Sequence, residues 1–390
     1  MTAFITFVIV LSLIVFVHEF GHFIAARKTC MKVYEFAIGF PPFIYGFYRD
    51  PKTKKLHWVK KKKSGPNVIE MGAGEEKSYV YPNTIYSLNL LPLGGFCQIK
   101  GQDGSKANEE DSFGNKKPWQ RAIVIVAGVV MNIVLAAVLL GIGFMIGLPT
   151  DLSTIEDKHA IVVEEPAVII QQVEANSPAG EAGFAFGDTV LSLDGEEMDN
   201  TSEMVEYIKS HGGEEISITY TREDKVLTTT ATPKAFGSVD TPRLGVMLVD
   251  AAVVRYPWYI AIWKGILAAF IGLANIFVGF YVIIKGLILG QGMIMDVSGP
   301  VGIATMVGQS ASLGIHYLIN ITAMISLSLA AINILPIPAL DGGHLLFIAI
   351  EAVTGKRVPK KYENRAHTAG FMLLFGLLII ISIRDLIHLF

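Results

Sequence analysis

Residues 18–22 read His18-Glu19-Phe20-Gly21-His22, inside an apolar run over residues 3–26 that carries no lysine or arginine until Arg27. A run of that length has the dimensions of a membrane-spanning helix. On a helix, positions four apart share a face, so His18 and His22 direct two imidazoles at one point. Glu19 sits one residue along, close enough to take a proton from a water held there but not aligned as a third ligand. This is the H-E-x-x-H arrangement of zinc hydrolases. Its placement matters as much as its letters. Ionisable groups in hydrocarbon cost several kcal/mol unless paired or ligated, so a metal centre outweighs the reading as helix-end residues facing water.

The chain has 390 residues, 52% of them hydrophobic, too apolar for an ordinary soluble protein and fitting an integral membrane protein with two or three domains. Its two cysteines, Cys30 and Cys97, lie far apart, lack Cys-x-x-Cys spacing and imply no disulfide framework. Residues 1–26 lack a basic n-region, run too long for a signal peptide and continue into the metal motif, so the helix is expected to be retained.

A basic loop follows, Arg27 to Lys63, with about 11 Lys and Arg against two acids, Glu35 and Asp50. The positive-inside rule makes it cytoplasmic and the N-terminus extracytoplasmic. The block Lys60-Lys61-Lys62-Lys63 reads as solvated loop, and no nucleic-acid partner is expected. Around Gly39-Phe40-Pro41-Pro42, and again over Ile85 to Phe96 with Gly94-Gly95, short strands with Gly/Pro turns are expected, apolar enough to lean into the membrane. Strand edges cannot face lipid unpaired, so these hairpins must shelter against helices or line a wet cavity. An edge at Gly39 or Gly94 could hold a substrate segment as an added strand.

Ala122 to Leu148 reads as a second spanning helix, with Gly128 permitting close helix approach and Asn132 a buried amide that bonds another helix or steadies groups near the metal. Residues 151–257 change character, with about 20 acids against seven bases, as suits an extracytoplasmic globular segment. Two apolar runs follow, 258–289 and 315–337, then a basic loop with Lys356, Arg357, Lys360, Lys361 and Arg365, then a last helix over 368–383. If the acidic segment is outside and this loop inside, an odd number of crossings separates them. Lys264, Lys285 and several glycines interrupt the first run, which is therefore expected to lie on the membrane face, leaving four spanning helices.

Near the inner end of the third span stands Asn333-Ile334-Leu335-Pro336-Ile337-Pro338-Ala339-Leu340-Asp341-Gly342-Gly343-His344. The prolines break the helix, and unwound backbone at depth is tolerated only beside protein or a wet cavity. Asp341 then stands at the level of His18 and His22, and three protein ligands with an open fourth position make a catalytic zinc site. His344 is the rival third ligand.

With both halves in view, the chain resembles the site-2 protease family of intramembrane zinc metalloproteases, most of all the bacterial regulator-of-sigma-factor type with a single PDZ domain. The resemblance rests on His18 to His22, the Gly/Phe-rich hairpins, Gly128 to Asn132, Ser298-Gly299-Pro300-Val301 and Asn333 to Gly343. A PDZ-like domain is carried by the run Gly183-Phe184-Ala185-Phe186-Gly187-Asp188 onward to Asp194-Gly195 and the helix after it. One departure is Val129, where the family commonly has proline after the glycine.

The resemblance implies one zinc per chain on His18, His22 and Asp341, Glu19 as base, and Asn333 as a residue that holds substrate. It also implies single-pass transmembrane substrates (anti-sigma factors and remnant signal peptides), cut in the bacterial inner membrane. The expected architecture is a polytopic α-helical membrane protein with four transmembrane helices, membrane-associated β-hairpins and an inserted extracytoplasmic PDZ-like α+β domain. Its divisions are a membrane core at 1–150, the PDZ-like domain at 160–250, a membrane-surface segment at 251–310 and the rest of the core at 311–390. A zinc transporter would need ligands at more than one depth, and an inactive scaffold would have no use for Glu19.

Overall fold

The structure, a computed structural model, describes residues 2–60, 81–102, 104, 106, 108–151, 159–163, 167–174, 177–198, 200–222, 225–236, 239–289 and 299–389. Lys61 to Lys63 of the basic block, and Ser298, lie outside the described residues.

The first helix, α1 (Thr2–Lys28), runs unbroken because its apolar sequence holds no proline and only one glycine, Gly21. Strands β1 (Val33–Arg49), β2 (Leu56–Val59) and β3 (Ile85–Ile99) form a sheet in the order β2-β1-β3. The long strands fold back on themselves, so Phe36 faces both Cys97 and Tyr86, and Ile38 faces both Gly95 and Leu88. The bends fall at Gly39 and Gly94, whose φ values of 86° and 121° suit glycine alone. β3 lies directly on α1: Ser12 Oγ donates to the Pro92 carbonyl at 2.6 Å, and a Cβ on Gly94 would sit 2.5 Å from Val15. The sheet tip thus reaches about 10 Å past Glu19 along the helix. It exposes Ile38, Phe40, Ile44, Leu88, Leu90 and Leu91.

Helix α2 (Pro118–Ile146) starts with proline in its first turn, where the missing N–H costs nothing, and stops at Gly147, whose N–H bonds Gly143 O at 2.8 Å. The inserted α+β domain follows. Its elements are β4 (Leu148–Asp151), β5 (Ile161–Val162), β6 (Ala167–Val173), α3 (Pro178–Glu181), β7 (Thr189–Leu193), β8 (Glu196–Glu197), α4 (Thr201–Ser210), β9 (Ile216–Arg222), β10 (Lys225–Ala231), β11 (Lys234–Phe236), β12 (Val239–Arg243) and β13 (Val246–Arg255). The sheet path is β10-β9-β7-β6-β13-β4, with β11 and β12 as a separate hairpin. Val168, Ile170, Leu193, Met204, Ile216 and Ile218 fill its core. Asp188, fully buried in the turn before β7, accepts two contacts of 2.6 Å from the Arg222 guanidinium and the Ala185 N–H at 2.8 Å. The domain joins the helices through the β4–β13 ladder, and Tyr256 N–H caps α2 at Phe144 O, 2.7 Å.

The remaining helices are α5 (Trp258–Ile288), α6 (Pro300–Leu313), α7 (Ile315–Ile334), α8 (Asp341–Thr354) and α9 (Lys360–Leu389). Among the described residues five helices, α1, α2, α5, α7 and α9, are long and apolar enough to cross a membrane, rather than the expected four. The difference lies in 258–289, read as a surface segment within 251–310. It is one helix that starts at the domain end of α2 and packs backbone to backbone there, since a Cβ on Gly265 would sit 2.4 Å from Gly141 N. By Gly272 it has reached Leu327 of α7, and 16 residues of helix remain, about 24 Å. Its two lysines sit near its ends, Lys264 with Nζ 4.8 Å from the Tyr256 ring and Lys285 in the last turn. Such positions let long side chains reach the polar boundary.

The parity argument made no allowance for a return between α5 and α7. α7 also starts at the domain end, where His316 Nδ1 lies 2.6 Å from Gly147 O. Between α5 and α7, helix α6 climbs back: Asp385 of α9 caps its first turn at Gly302 N (2.8 Å), and a Cβ on Gly187 of the inserted domain would sit 2.4 Å from its last residue, Leu313.

Candidate metal centre

The sequence folds α1 and α2 into contact at two glycines. A Cβ on Gly21 would lie 2.3 Å from Ala127 O, so only hydrogen there lets the backbones touch. Opposite, a Cβ on Gly128 would lie 2.5 Å from His22 Nε2 and 2.8 Å from His18 Nε2. The glycine leaves a void on the α2 side of two converging nitrogens. The third group comes from 323 residues away: Asp341 Oδ2 lies 2.9 Å from His18 Nε2 and 3.2 Å from His22 Nε2, and the two nitrogens are 3.1 Å apart. Both histidines are buried.

Asp341 gets there because Leu335-Pro336-Ile337-Pro338 ends α7 and turns the chain before α8 begins. Ala339, with φ 86°, makes the last bend. Arg121 near the start of α2 bonds Glu351 of α8 at 2.6 Å and ties that helix in place.

Two imidazole nitrogens and a carboxylate oxygen converging on one point repel unless a proton or a metal ion lies among them, and the deprotonated set is a ligand set for a metal. A tetrahedral zinc ion with bonds of about 2.0–2.1 Å holds its donors about 3.3 Å apart, close to the separations here. The outer nitrogens fit as well. His22 Nδ1 lies 2.8 Å from Val124 O, a contact that only Nδ1–H can make, which leaves the Nε2 lone pair free. His18 Nδ1 lies 3.3 Å from the Asn132 amide. As oriented, Asn132 Oδ1 is buried with no partner; turned over, the amide offers that oxygen to Nδ1–H and frees His18 Nε2. Ser326 holds this stretch of α2 through Asn132 O at 2.9 Å. The residues present fit zinc.

Glu19 lies between β3 and the trio: the Cys97 N–H donates to its carboxylate, a Cβ on Gly95 would touch its stem at 3.2 Å, and the carboxylate is close enough to His18, His22 and Asp341 to feel their charges. Gly94 packs on Val15 and Gly39 on the Leu91 and Asn89 carbonyls, so both shape the sheet tip and neither touches the trio. Asn333 is half-buried near the end of α7 and makes no side-chain hydrogen bond among the described residues.

His344 is directed elsewhere. Its Nδ1 lies 3.4 Å from Glu363, and its ring stacks on His367 at 4.0 Å. These three residues form a second cluster of possible ligands. A metal there is disfavoured by near-parallel rings whose lone pairs run side by side, and by the Lys360 ammonium 2.9 Å from the same carboxylate. Reading the sequence alone missed Gly21, Val124, Ser326 and the Cys97 amide. Only the glycine in the motif carried a signal.

A family model described as Peptidase family M50 matches residues 6–55 and 56–377. The regulator of sigma-W protease RasP of Bacillus subtilis is 28% identical, covering 99% of this chain and 98% of that one. A zinc metalloprotease RasP from Geobacillus kaustophilus is 30% identical over 98% and 97% of the two chains. Among solved structures, the PDZ domain of an SdrC-like protein from Listeria monocytogenes is 27% identical, covering 23% of this chain and 94% of that one, with a TM-score of 0.21.

Proposed function

The chain belongs to peptidase family M50, the site-2 protease family, and on that footing we propose that it hydrolyses peptide bonds within the transmembrane segments of single-pass proteins. It is a zinc metalloprotease and a multi-pass membrane protein. The observation that carries the proposal is the mutual approach of His18, His22 and Asp341 to 2.9–3.2 Å, with Glu19 on the adjoining turn.

His18, His22 and Asp341 would hold the zinc, which when bound would supply the Lewis acidity that polarises a peptide carbonyl and activates water near neutral pH. Glu19 accepts the proton of the attacking water and delivers it to the leaving amine. The Cys97 N–H holds the carboxylate ready for that exchange. Asn132 keeps His18 in the ligating tautomer, and the Val124 carbonyl does the same for His22. The β3 flank beside Glu19 takes up an unwound substrate segment as an added strand, and Asn333 contacts it from α7.

The 11 basic residues of the Arg27–Lys63 stretch face the cytoplasm, while the N-terminus and inserted domain face outward. Five helices cross, and α6 makes the return between α5 and α7. Anti-sigma factors and remnant signal peptides are the substrate class proposed, in a bacterial inner membrane, a reading supported by the sigma-W protease among the relatives.

Glu19→Gln tests the core of this. In proteoliposomes with a single-pass substrate, the variant should retain its zinc and cleave at least about a thousandfold more slowly. Undiminished cleavage, or zinc flux across the bilayer in place of cleavage, overturns the reading.

A further inference from the structure

A cavity of about 630 Å³ opens between the outer flank of β3 and α9. Tyr34, Phe96 and Gln98 line it from the sheet, Ala339 from the bend before Asp341, and His367 and Phe371 from α9. Cys97, whose amide holds Glu19, also borders it, so the cavity adjoins the reacting centre.

Two buried polar atoms, His367 Nε2 on α9 and Gln98 Oε1 on β3, have no hydrogen-bond partner among the described residues. Buried polar atoms left in that state are uncommon and need an explanation. The state of the histidine follows from its other nitrogen. Ala339 N–H donates to His367 Nδ1 at 2.9 Å, so that nitrogen presents a lone pair. The ring is then neutral with its proton on Nε2, which makes the orphan a donor. On the sheet side of the cavity, Gln98 Oε1 is an orphaned acceptor.

Charge selects further among the groups that could enter. Glu363 is matched by Lys360 at 2.9 Å and faces His344 Nδ1 at 3.4 Å, so that cluster has no net demand for a charged visitor. A carboxylate would oppose the Gln98 oxygen, and an ammonium would oppose the His367 donor. A carboxamide or a hydroxyl satisfies both, being donor and acceptor at once.

We propose that this cavity is a substrate side-chain subsite that selects an amide- or hydroxyl-bearing residue beside the scissile bond, with His367 as donor and Gln98 as acceptor. The proposal rests on the protease reading above and deepens it. The Ala339 contact gives the subsite a second consequence, because the same imidazole that reads the side chain steadies the bend that delivers Asp341.

The test uses the zinc-loaded full chain in proteoliposomes with a single-pass substrate. Each of the six residues flanking the cleavage site is set to Gln and, separately, to Leu, which matches it in size. Initial cleavage rates are compared as a Gln/Leu ratio at each position. The wild type should favour Gln by about tenfold at one position. At that position the ratio should fall to near one in His367→Phe, which keeps a ring to stack on His344, and should stay well above one in His367→Gln. A purely structural defect slows both substrates together and leaves the ratio at its wild-type value, which would overturn the proposal. So would a wild type without preference at any of the six positions. If His367→Phe cleaves neither substrate, the ratio in Gln98→Leu decides, near one supporting the subsite and an unchanged value refuting it. A wild type that cleaves neither substrate, matching Glu19→Gln, refutes the protease reading itself.

Discussion

A methyl group on Gly128 of α2 would run into Nε2 of both His18 and His22, the nitrogens proposed above as zinc ligands. Gly128→Ala should therefore cost zinc before it costs fold. We expect helix content near wild type and zinc retention weakened by at least about tenfold in chelator competition. Wild-type zinc content in that variant would show that the ligands sit elsewhere. Asn132 acts one bond further out, through His18 Nδ1. Asn132→Ala should lower zinc affinity by about 10–100-fold, and Asn132→Asp, which keeps an acceptor on the ring, should recover most of it. Equal losses in the two variants would mean that the side chain fills space and does not orient the ring. The shared face of His18 and His22 was legible because helical spacing alone fixes it, with Glu19 one residue along. The void at Gly128 was not, since sequence shows that a glycine allows approach but not what approaches.

Among the elements, α8 is positioned by an ion pair more than by its own propensity. The Arg121 side chain, 4% exposed, meets Glu351 at 2.6 Å, with Arg357 only at 3.8 Å as a second cation. Arg121→Ala strands the carboxylate and should destabilise the folded protein by about 3–5 kcal/mol, read as a lower unfolding midpoint in detergent. Replacing both partners, Arg121→Met with Glu351→Leu, should recover most of that loss. Failure of the double variant to recover would place the cost in packing and not in the unpaired charge. For α5 the question is direction through the membrane. With Cys30 and Cys97 replaced, a cysteine at Trp258 should react with an impermeant thiol reagent from outside, and one at Gly286 only after permeabilisation. Labelling of both from outside would restore the surface-helix reading. Lys264 and Lys285 argued against a span because sequence gives their positions along the chain and not their heights. In the fold both lie toward the ends of the helix, where a lysine is tolerated.

At the scale of the whole molecule, the inserted domain stands on the end of the helix bundle away from the β3–α9 cavity. It is joined by β4 and β13 and touches α6 at Leu313. We propose that it acts there as a gate and not as a docking platform. Replacing residues 164–246 with a flexible linker keeps the β4–β13 ladder. It should leave short-tailed substrates cleaved and admit bulky-tailed ones that the intact protein excludes. Loss of short-tailed cleavage, with zinc and folding intact, would make the domain a docking site.

The sequence by itself determined the chemistry and the membrane setting. His18, Glu19 and His22 are bound together by the period of one helix, and long apolar runs have few alternatives to lipid. The Pro336–Pro338 break before Asp341 was equally local. The tertiary structure decided everything that depends on meetings between distant segments. It brought Asp341, and not His344, within 3.2 Å of His18 and His22, because the bend at Ala339 turns one toward α1 while Glu363 and His367 engage the other. It also stood α5 upright, because Gly141 and Gly265 let two helix backbones touch along a line, and that contact has no trace in the periodicity of either helix.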